Sequence, residues 1–231
     1  MTSLRLVVVA STNGSVLNQL LQSDFFRRHL HSVVVDRACG ALDKAKAHGV
    51  RTEFFEARDN EDFCRQLADY MTTEEIDYVL SYYTKFYSKA FRDTFKDRIL
   101  NVHPSLLPAF KGMDGFGDAV RYHARFVGNT VEFIDEVMDE GKIIMQTVCP
   151  LDQTAPVAQT RHRVFVQQCK AVLQVVRWLV DDRVSVDGRK VTVQGATFDS
   201  SAFSPALDLE EAKALEVEMP ARSVFEAAHV N

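Results

Sequence analysis

Cysteine is scarce: the 231 residues hold 4, at Cys39, Cys64, Cys149 and Cys169, with no Cys-x-x-Cys pair. That excludes a disulfide scaffold and a zinc ribbon. No His-Glu-x-x-His occurs, and His29, His31 and His162 have no cysteine or carboxylate cluster beside them, so no metal site is expected. No segment approaches the ~18 apolar residues that span a bilayer. The start lacks the basic flank and long apolar region of a secretory signal. A cytoplasmic chain with no membrane partner is expected. Positive charge is in deficit, with 27 Lys+Arg against 32 Asp+Glu and a net charge of −5. That disfavours a nucleic-acid partner held by phosphate neutralisation. Gly-x-Gly-x-x-Gly and the P-loop string are absent too, which removes two common nucleotide sites.

What is present is an alternation. Residues 4–10, 32–36, 51–55, 77–81 and 99–103 read as strands rich in β-branched or apolar residues. Between them, apolar residues recur at helical spacing in 16–25, 41–48, 63–70 and 88–95. Strand alternating with helix predicts an α/β fold, Rossmann-like, with a mostly parallel sheet and flanking helices. The second half differs. Residues 129–134 and 143–148 read as strands joined by an acidic loop, 155–180 as one long helix, and 184–193 as a short C-terminal hairpin around Asp187-Gly188. A catalytic domain over 1–198 is expected, followed by a tail, 199–231, packed on the surface or partly flexible, with one helix in 207–217.

Three places carry chemistry. In Asn101-Val-His103-Pro-Ser-Leu-Leu-Pro108, Asn101 and His103 share one face at the end of a strand. The carboxyl ends of strands line the ligand crevice of an open α/β sheet. An amide N–H suits a developing oxyanion, and an imidazole can hold or pass a proton near neutral pH. A histidine satisfied by backbone at a strand end fits the spacing equally well. Asp139, in Asp135-Glu-Val-Met-Asp-Glu-Gly141, could orient His103 and favour its charged form. A solvated acidic loop is the plainer alternative. The turn Asn13-Gly14-Ser15 opens a helix whose backbone N–H groups suit an anion, or it simply caps that helix.

Together these strings resemble the formyltransferase family that uses 10-formyltetrahydrofolate, in its glycinamide ribonucleotide transformylase branch. The resemblance runs from the first strand through the helix of Trp178. It implies that Asn101, His103 and Asp139 are catalytic: Asn101 and His103 stabilise the oxyanion, and Asp139 positions His103 and helps relay a proton. It implies that the folate lies beside the acidic loop, contacting Ile134, Asp135, Glu136, Val137 and Met138, with Lys85, Phe86, Tyr87 and Ile99 on its other side. It implies that Asn13, Gly14 and Ser15 form a phosphate-binding turn, and that Pro104 and Gln168 contact the amine substrate. The expected partners are folate and a small-molecule amine, in a monomer or homodimer.

The chain departs from that branch in four places. Lys85 replaces an Arg, Glu132 a His, Met113-Asp-Gly-Phe-Gly117 a His-x-His, and Gln168 a Glu. The chemical residues stay while the polar contacts that set specificity change. An acceptor other than glycinamide ribonucleotide itself is therefore expected, a related amine or an amino sugar. A hydrolase that releases formate from the same donor is the alternative, since water needs no amine site. A folate binder without catalysis is a third reading. Residues beyond the hairpin are too few for the RNA-holding barrel of the tRNA-modifying branch.

Overall fold

Five residues of β1 (Leu6–Ala10) lose all contact with water. Leu6, Val8 and Ala10 face one apolar cluster, Val7 and Val9 the other, as the period of a strand covered on both faces requires. The computed structural model describes residues 4–220, so the ends of the expected domain and tail, 1–3 and 221–231, lie outside the described residues. After β1 come α1 (Ser15–Leu20) and α2 (Asp24–His29). The apolar spacing in 16–25 predicts one helix; two are found. The Ser23 hydroxyl accepts from the Phe26 N–H at 3.0 Å and starts a new helix there.

The chain continues with β2 (Leu30–Val35), α3 (Gly40–Ala47), β3 (Thr52–Phe54), α4 (Asn60–Thr73), β4 (Tyr78–Tyr82), α5 (Lys89–Thr94) and β5 (Ile99–His103). Then follow α6 (Gly115–Arg121), β6 (Phe126–Phe133), β7 (Lys142–Pro150), α7 (Val157–Val180), β8 (Val184–Asp187), β9 (Lys190–Val193), β10 (Phe203–Ser204) and α8 (Glu210–Ala214). Helix α6 escapes sequence reading because it carries two glycines, residues that disfavour helix interiors. Here Asp114 caps it by accepting from the Gly117 N–H at 3.2 Å.

Among the described residues, eight strands form one sheet in the order β10-β7-β6-β5-β4-β1-β2-β3, and β8 and β9 form a separate hairpin. Strands β1 to β5 pair in parallel; β5–β6, β6–β7 and β7–β10 are antiparallel. The chain runs outward from β1 to β2 and β3, then returns to β4 on the other side. Ligands bind beyond the carboxyl ends of strands at such a reversal.

Residues 203–209 pack against β7 and α7. Strand β10 pairs with Gln146 and Thr147 of β7. On α7, the fully buried Gln174 donates to Asp208 Oδ1 at 2.6 Å and accepts from the Asp208 and Leu209 N–H groups. Only Glu210–Ala214 of the expected 207–217 stretch is helical. Among the described residues no helix is long and apolar enough to cross a membrane, and no group of three or more His, Cys, Asp or Glu could hold a metal ion.

Candidate active site

A cleft of about 210 Å³ opens at the carboxyl ends of β1, β4 and β5. Thr12 follows β1, Lys85 and Phe86 follow β4, and Asn101, His103 and Pro104 end β5; Ile134, Val137, Met138 and Asp139 close the far side. Strand geometry sets Asn101 and His103 on one face, two residues apart. Antiparallel pairing then lays Glu132 opposite Asn101 and Thr130 opposite His103.

His103 is buried between two acceptors. Its Nδ1 lies 3.4 Å from Asp139 Oδ1, and its Nε2 lies 2.9 Å from the Phe110 carbonyl. A Cβ added at Gly115 would stand 2.6 Å from His103 Nε2 and 2.7 Å from the Phe110 oxygen, so glycine is required beneath the imidazole. Asp139 is 9 % exposed and takes a left-handed backbone, φ 56°. It does not face bulk solvent: its Oδ2 accepts from the Gly112 N–H at 2.7 Å. Lys111 pairs with Glu140 at 2.6 Å, and Arg189, at the tip of the β8–β9 hairpin, donates to the Glu140 carbonyl at 3.0 Å. Two segments, the loop at Lys111-Gly112 and the β8–β9 hairpin, thus hold the loop that carries Asp139.

Glu132 is almost fully buried. Burial pushes its carboxyl above the usual range, and the nearby Asp139 charge adds to that. N–H donors from Asn101, at 3.1 Å, and Gly141, at 2.9 Å, pull the other way. Burial also raises the Asp36 carboxyl, but bonds from Arg37 and Ser11 outweigh it and leave the group below its ordinary value. Lys85 approaches Asp36 to 3.9 Å, which places a cation at the near wall of the cleft.

Several expected contact residues do not line the cleft. The Tyr87 ring is buried beneath it, with its hydroxyl donating to Ser81 Oγ at 3.0 Å. Ile99 lies deeper on its strand, in the apolar cluster shared with α4 and α5. Asp135 and Glu136 rim a separate hollow with Lys89, Arg92 and Lys96. Asn13, Gly14 and Ser15 sit just past Thr12 at the start of α1, and Asn13 Oδ1 accepts from Lys44 Nζ at 3.1 Å. Gln168 lies on α7 away from the lining. Conversely, Thr12, Ser81, Tyr82, Tyr83, Thr84, Val102 and Gly112 line the cleft without being expected there, and Met113, noted only as a departure, lines it too. For those flanking β1 and β4 a signal existed, since they end the strands on either side of the reversal. Met113 opens the stretch that departs from the branch's His-x-His, whereas the place of Gly112 depends on how the loop after β5 folds back.

The formyl transferase family matches residues 4–176, three quarters of the chain. The chain belongs to that family. It is similar to phosphoribosylglycinamide formyltransferase of Mycobacterium tuberculosis, 32% identical over 197 residues that cover 82% of this chain and 91% of the relative. The Bacillus subtilis enzyme of the same name is 27% identical over 184 residues, covering 76% and 94%. Among solved structures, glycinamide ribonucleotide transformylase 1 of Symbiobacterium toebii superposes with a TM-score of 0.77 at 28% identity, covering 83% of this chain and 94% of that one. A formyltransferase of this family takes its formyl group from 10-formyltetrahydrofolate. The cleft fits such a donor. Met113, Val137 and Met138 expose large apolar surface around its mouth, as a flat heteroaromatic ring requires, beside backbone polar groups of the 134–138 segment.

Proposed function

We propose that the acceptor is a small primary amine of the glycinamide ribonucleotide type, modified in the cytoplasm by a monomer or homodimer. Three side chains carry the reaction: Asn101, His103 and Asp139. The observation that supports this reading is the meeting of Asn101 and His103 on one cleft wall, with Asp139 against His103. The names of the relatives support the acceptor class.

When bound, the folate supplies a formyl carbon open to attack by an amine. The residues of the chain do the rest. The Asn101 amide offers an N–H to the formyl oxygen, where negative charge grows. His103 lines the same cleft wall and can serve that oxygen by exchanging its Nε2 contact with the Phe110 carbonyl for one with the substrate. Asp139 holds the ring from the Nδ1 side and can pass the amine proton through water to the donor nitrogen, which leaves as its bond to the formyl carbon breaks. Buried donors of this kind act strongly because they need no reorganisation as charge develops. Ile134, Val137 and Met138 would hold the pterin ring, with Lys85 and Phe86 shaping the opposite wall; Asp135 and Glu136 carry the same segment past a separate hollow, and Tyr87 and Ile99 would support the wall from beneath. Asn13, Gly14 and Ser15, with Lys44 beside them, would take an acceptor phosphate. Pro104 would flank the amine, while Gln168 would act from α7, outside the lining.

The test is formyl transfer to glycinamide ribonucleotide, to amino sugars and to phosphorylated amines, with formate release counted in parallel. Transfer that requires one of these amines supports the reading, and the best acceptor names the substrate. Formate release indifferent to every amine would replace it with a hydrolase.

A further inference from the structure

Glu132 is 1% exposed, beside the cleft, and the chemistry above gives it nothing to do. A buried carboxylate is costly unless N–H donors meet it. Here both oxygens are met: Oε1 by Asn101 Nδ2 at 3.1 Å, and Oε2 by the Gly141 N–H at 2.9 Å. Two donors on two oxygens match the ionised form, which accepts and cannot donate. The contact is built in. Asn101 and Glu132 are cross-strand partners, and β6 is irregular in register between Val131 and Glu132. A Cβ at Gly141 would lie 2.8 Å from Glu132 Oε2 and 2.2 Å from the Phe133 oxygen, so only glycine allows the second bond.

An asparagine amide is nearly symmetric in shape, and its oxygen and nitrogen exchange places at little steric cost. Its two edges are chemically opposite. Against an acceptor-only partner, Asn101 must turn its nitrogen toward β6. One N–H is then held, and the other remains for the cleft that Asn101 lines. We propose that Glu132 is a positioning residue for formyl transfer, which fixes the nitrogen edge of Asn101 and, through Gly141, ties it to the end of the loop that carries Asp139. The inference rests on the formyl-transfer reading of this cleft.

Glutamine tests it, because it keeps the shape and reverses the logic. A Gln has one acceptor and one NH₂. If its oxygen keeps the Gly141 bond, its NH₂ faces Asn101, and the Asn101 amide must turn its oxygen inward. In Glu132→Gln, kcat should fall ~10-fold or more with both KM values within ~2-fold, the pattern of a donor lost at the reacting oxygen. Glu132→Asp keeps an acceptor and should retain more kcat than Glu132→Gln, although it fills the site less well. In an Asn101→Ala background, Glu132→Gln should change kcat by less than ~2-fold, since no amide is left to orient. Unchanged kcat in the single variant, or an equal loss in both backgrounds, overturns the proposal. A second readout needs no turnover. The side-chain NH₂ signals of Asn101, assigned by their loss in Asn101→Ala, should shift and exchange faster in Glu132→Gln, and unmoved signals overturn the proposal as well. A wild-type chain that transfers no formyl group strikes the reading of the cleft, while these signals still decide the role of Glu132.

Discussion

The parallel half of the sheet, β1 to β5, and the antiparallel half, β6, β7 and β10, bury different kinds of side chain. In the parallel half, β1 and the core of β2 are apolar and covered on both faces. In the antiparallel half, Asn129, Thr130, Glu132, Lys142 and Thr147 are buried among the apolar residues. Each finds polar partners. Asn129 Nδ2 donates to Thr147 Oγ1 and the Val164 carbonyl, Thr130 Oγ1 to the Ser105 carbonyl, and Lys142 Nζ to Asp97. The first half is a platform held by area removed from water, which is insensitive to direction. The second half is directional, because its buried polar groups depend on particular partners; Asn129 Oδ1 alone among the atoms of these five side chains is buried without one. The reacting groups stand at the seam, on β5 and on the loop between β6 and β7.

A cut into the platform should show the first property alone. Leu80, fully buried in the centre of β4, packs in the larger apolar cluster. Leu80→Ala should cost ~2–5 kcal/mol by denaturant titration, through lost transfer energy and the cavity left behind. Turnover per folded molecule should stay near wild type. A cost well under 1 kcal/mol would mean that the platform does not carry the stability assigned to it here.

A cut at the seam should do the reverse. Asn101→Ala and His103→Ala should each lower kcat ~10²–10³-fold, as loss of an oxyanion donor does. Asn101→Ala should cost less stability than Leu80→Ala, ~1–3 kcal/mol for the donor it takes from the buried Glu132 carboxyl. If Asn101→Ala lowers stability as much as Leu80→Ala yet keeps its turnover, the division between platform and chemistry fails.

The flank of the antiparallel half is pH-sensitive in a stated direction. Burial raises the Asp208 carboxyl, but bonds from Trp178, Arg183 and Gln174 outweigh it, so the folded value lies below the ordinary one. A carboxyl lowered in the folded state contributes stability above its unfolded value, about 4. That contribution disappears as pH falls through the folded value. The Asp208 and Leu209 amides, bonded to Gln174 Oε1, should therefore lose hydrogen-exchange protection in acid before the sheet does. In Asp208→Asn that pH dependence should vanish. Protection that falls evenly across β1 and this segment would show one cooperative unit.

The same division explains how much was legible. Strands buried on both faces write long apolar runs, so β1, β2, β4 and β5 are visible in sequence, and the Asn101-x-His103 spacing places both side chains on one wall. What was hidden depends on contacts between distant residues. Gly115 reads as a helix breaker until the His103 ring is found above it. Strand β10 has two residues and no period to detect. Glu132 reads as a substitution of unknown effect until cross-strand register puts it on Asn101. Gln168 sits on a helix whose orientation the sequence does not reveal, and the structure leaves it off the cleft lining.

The smallest effect sharpens the comparison at the loop itself. The Lys111–Glu140 pair is short, 2.6 Å, but both side chains are well exposed, at 40% and 44%. Lys111 holds the Glu140 carboxyl below its ordinary value through that bond. Exposed pairs are screened and lose side-chain freedom when they form, so they contribute little. The buried tether beside it, Gly112 N–H to Asp139, uses backbone and should carry the geometry. Lys111→Ala should therefore change kcat by less than ~3-fold, and raising salt should bring wild type and variant together, as screening of an exposed pair requires. A ~10-fold loss that salt does not mimic would mean that the surface pair, rather than the backbone tether, keeps Asp139 on His103. The directional half of the molecule would then extend to its surface.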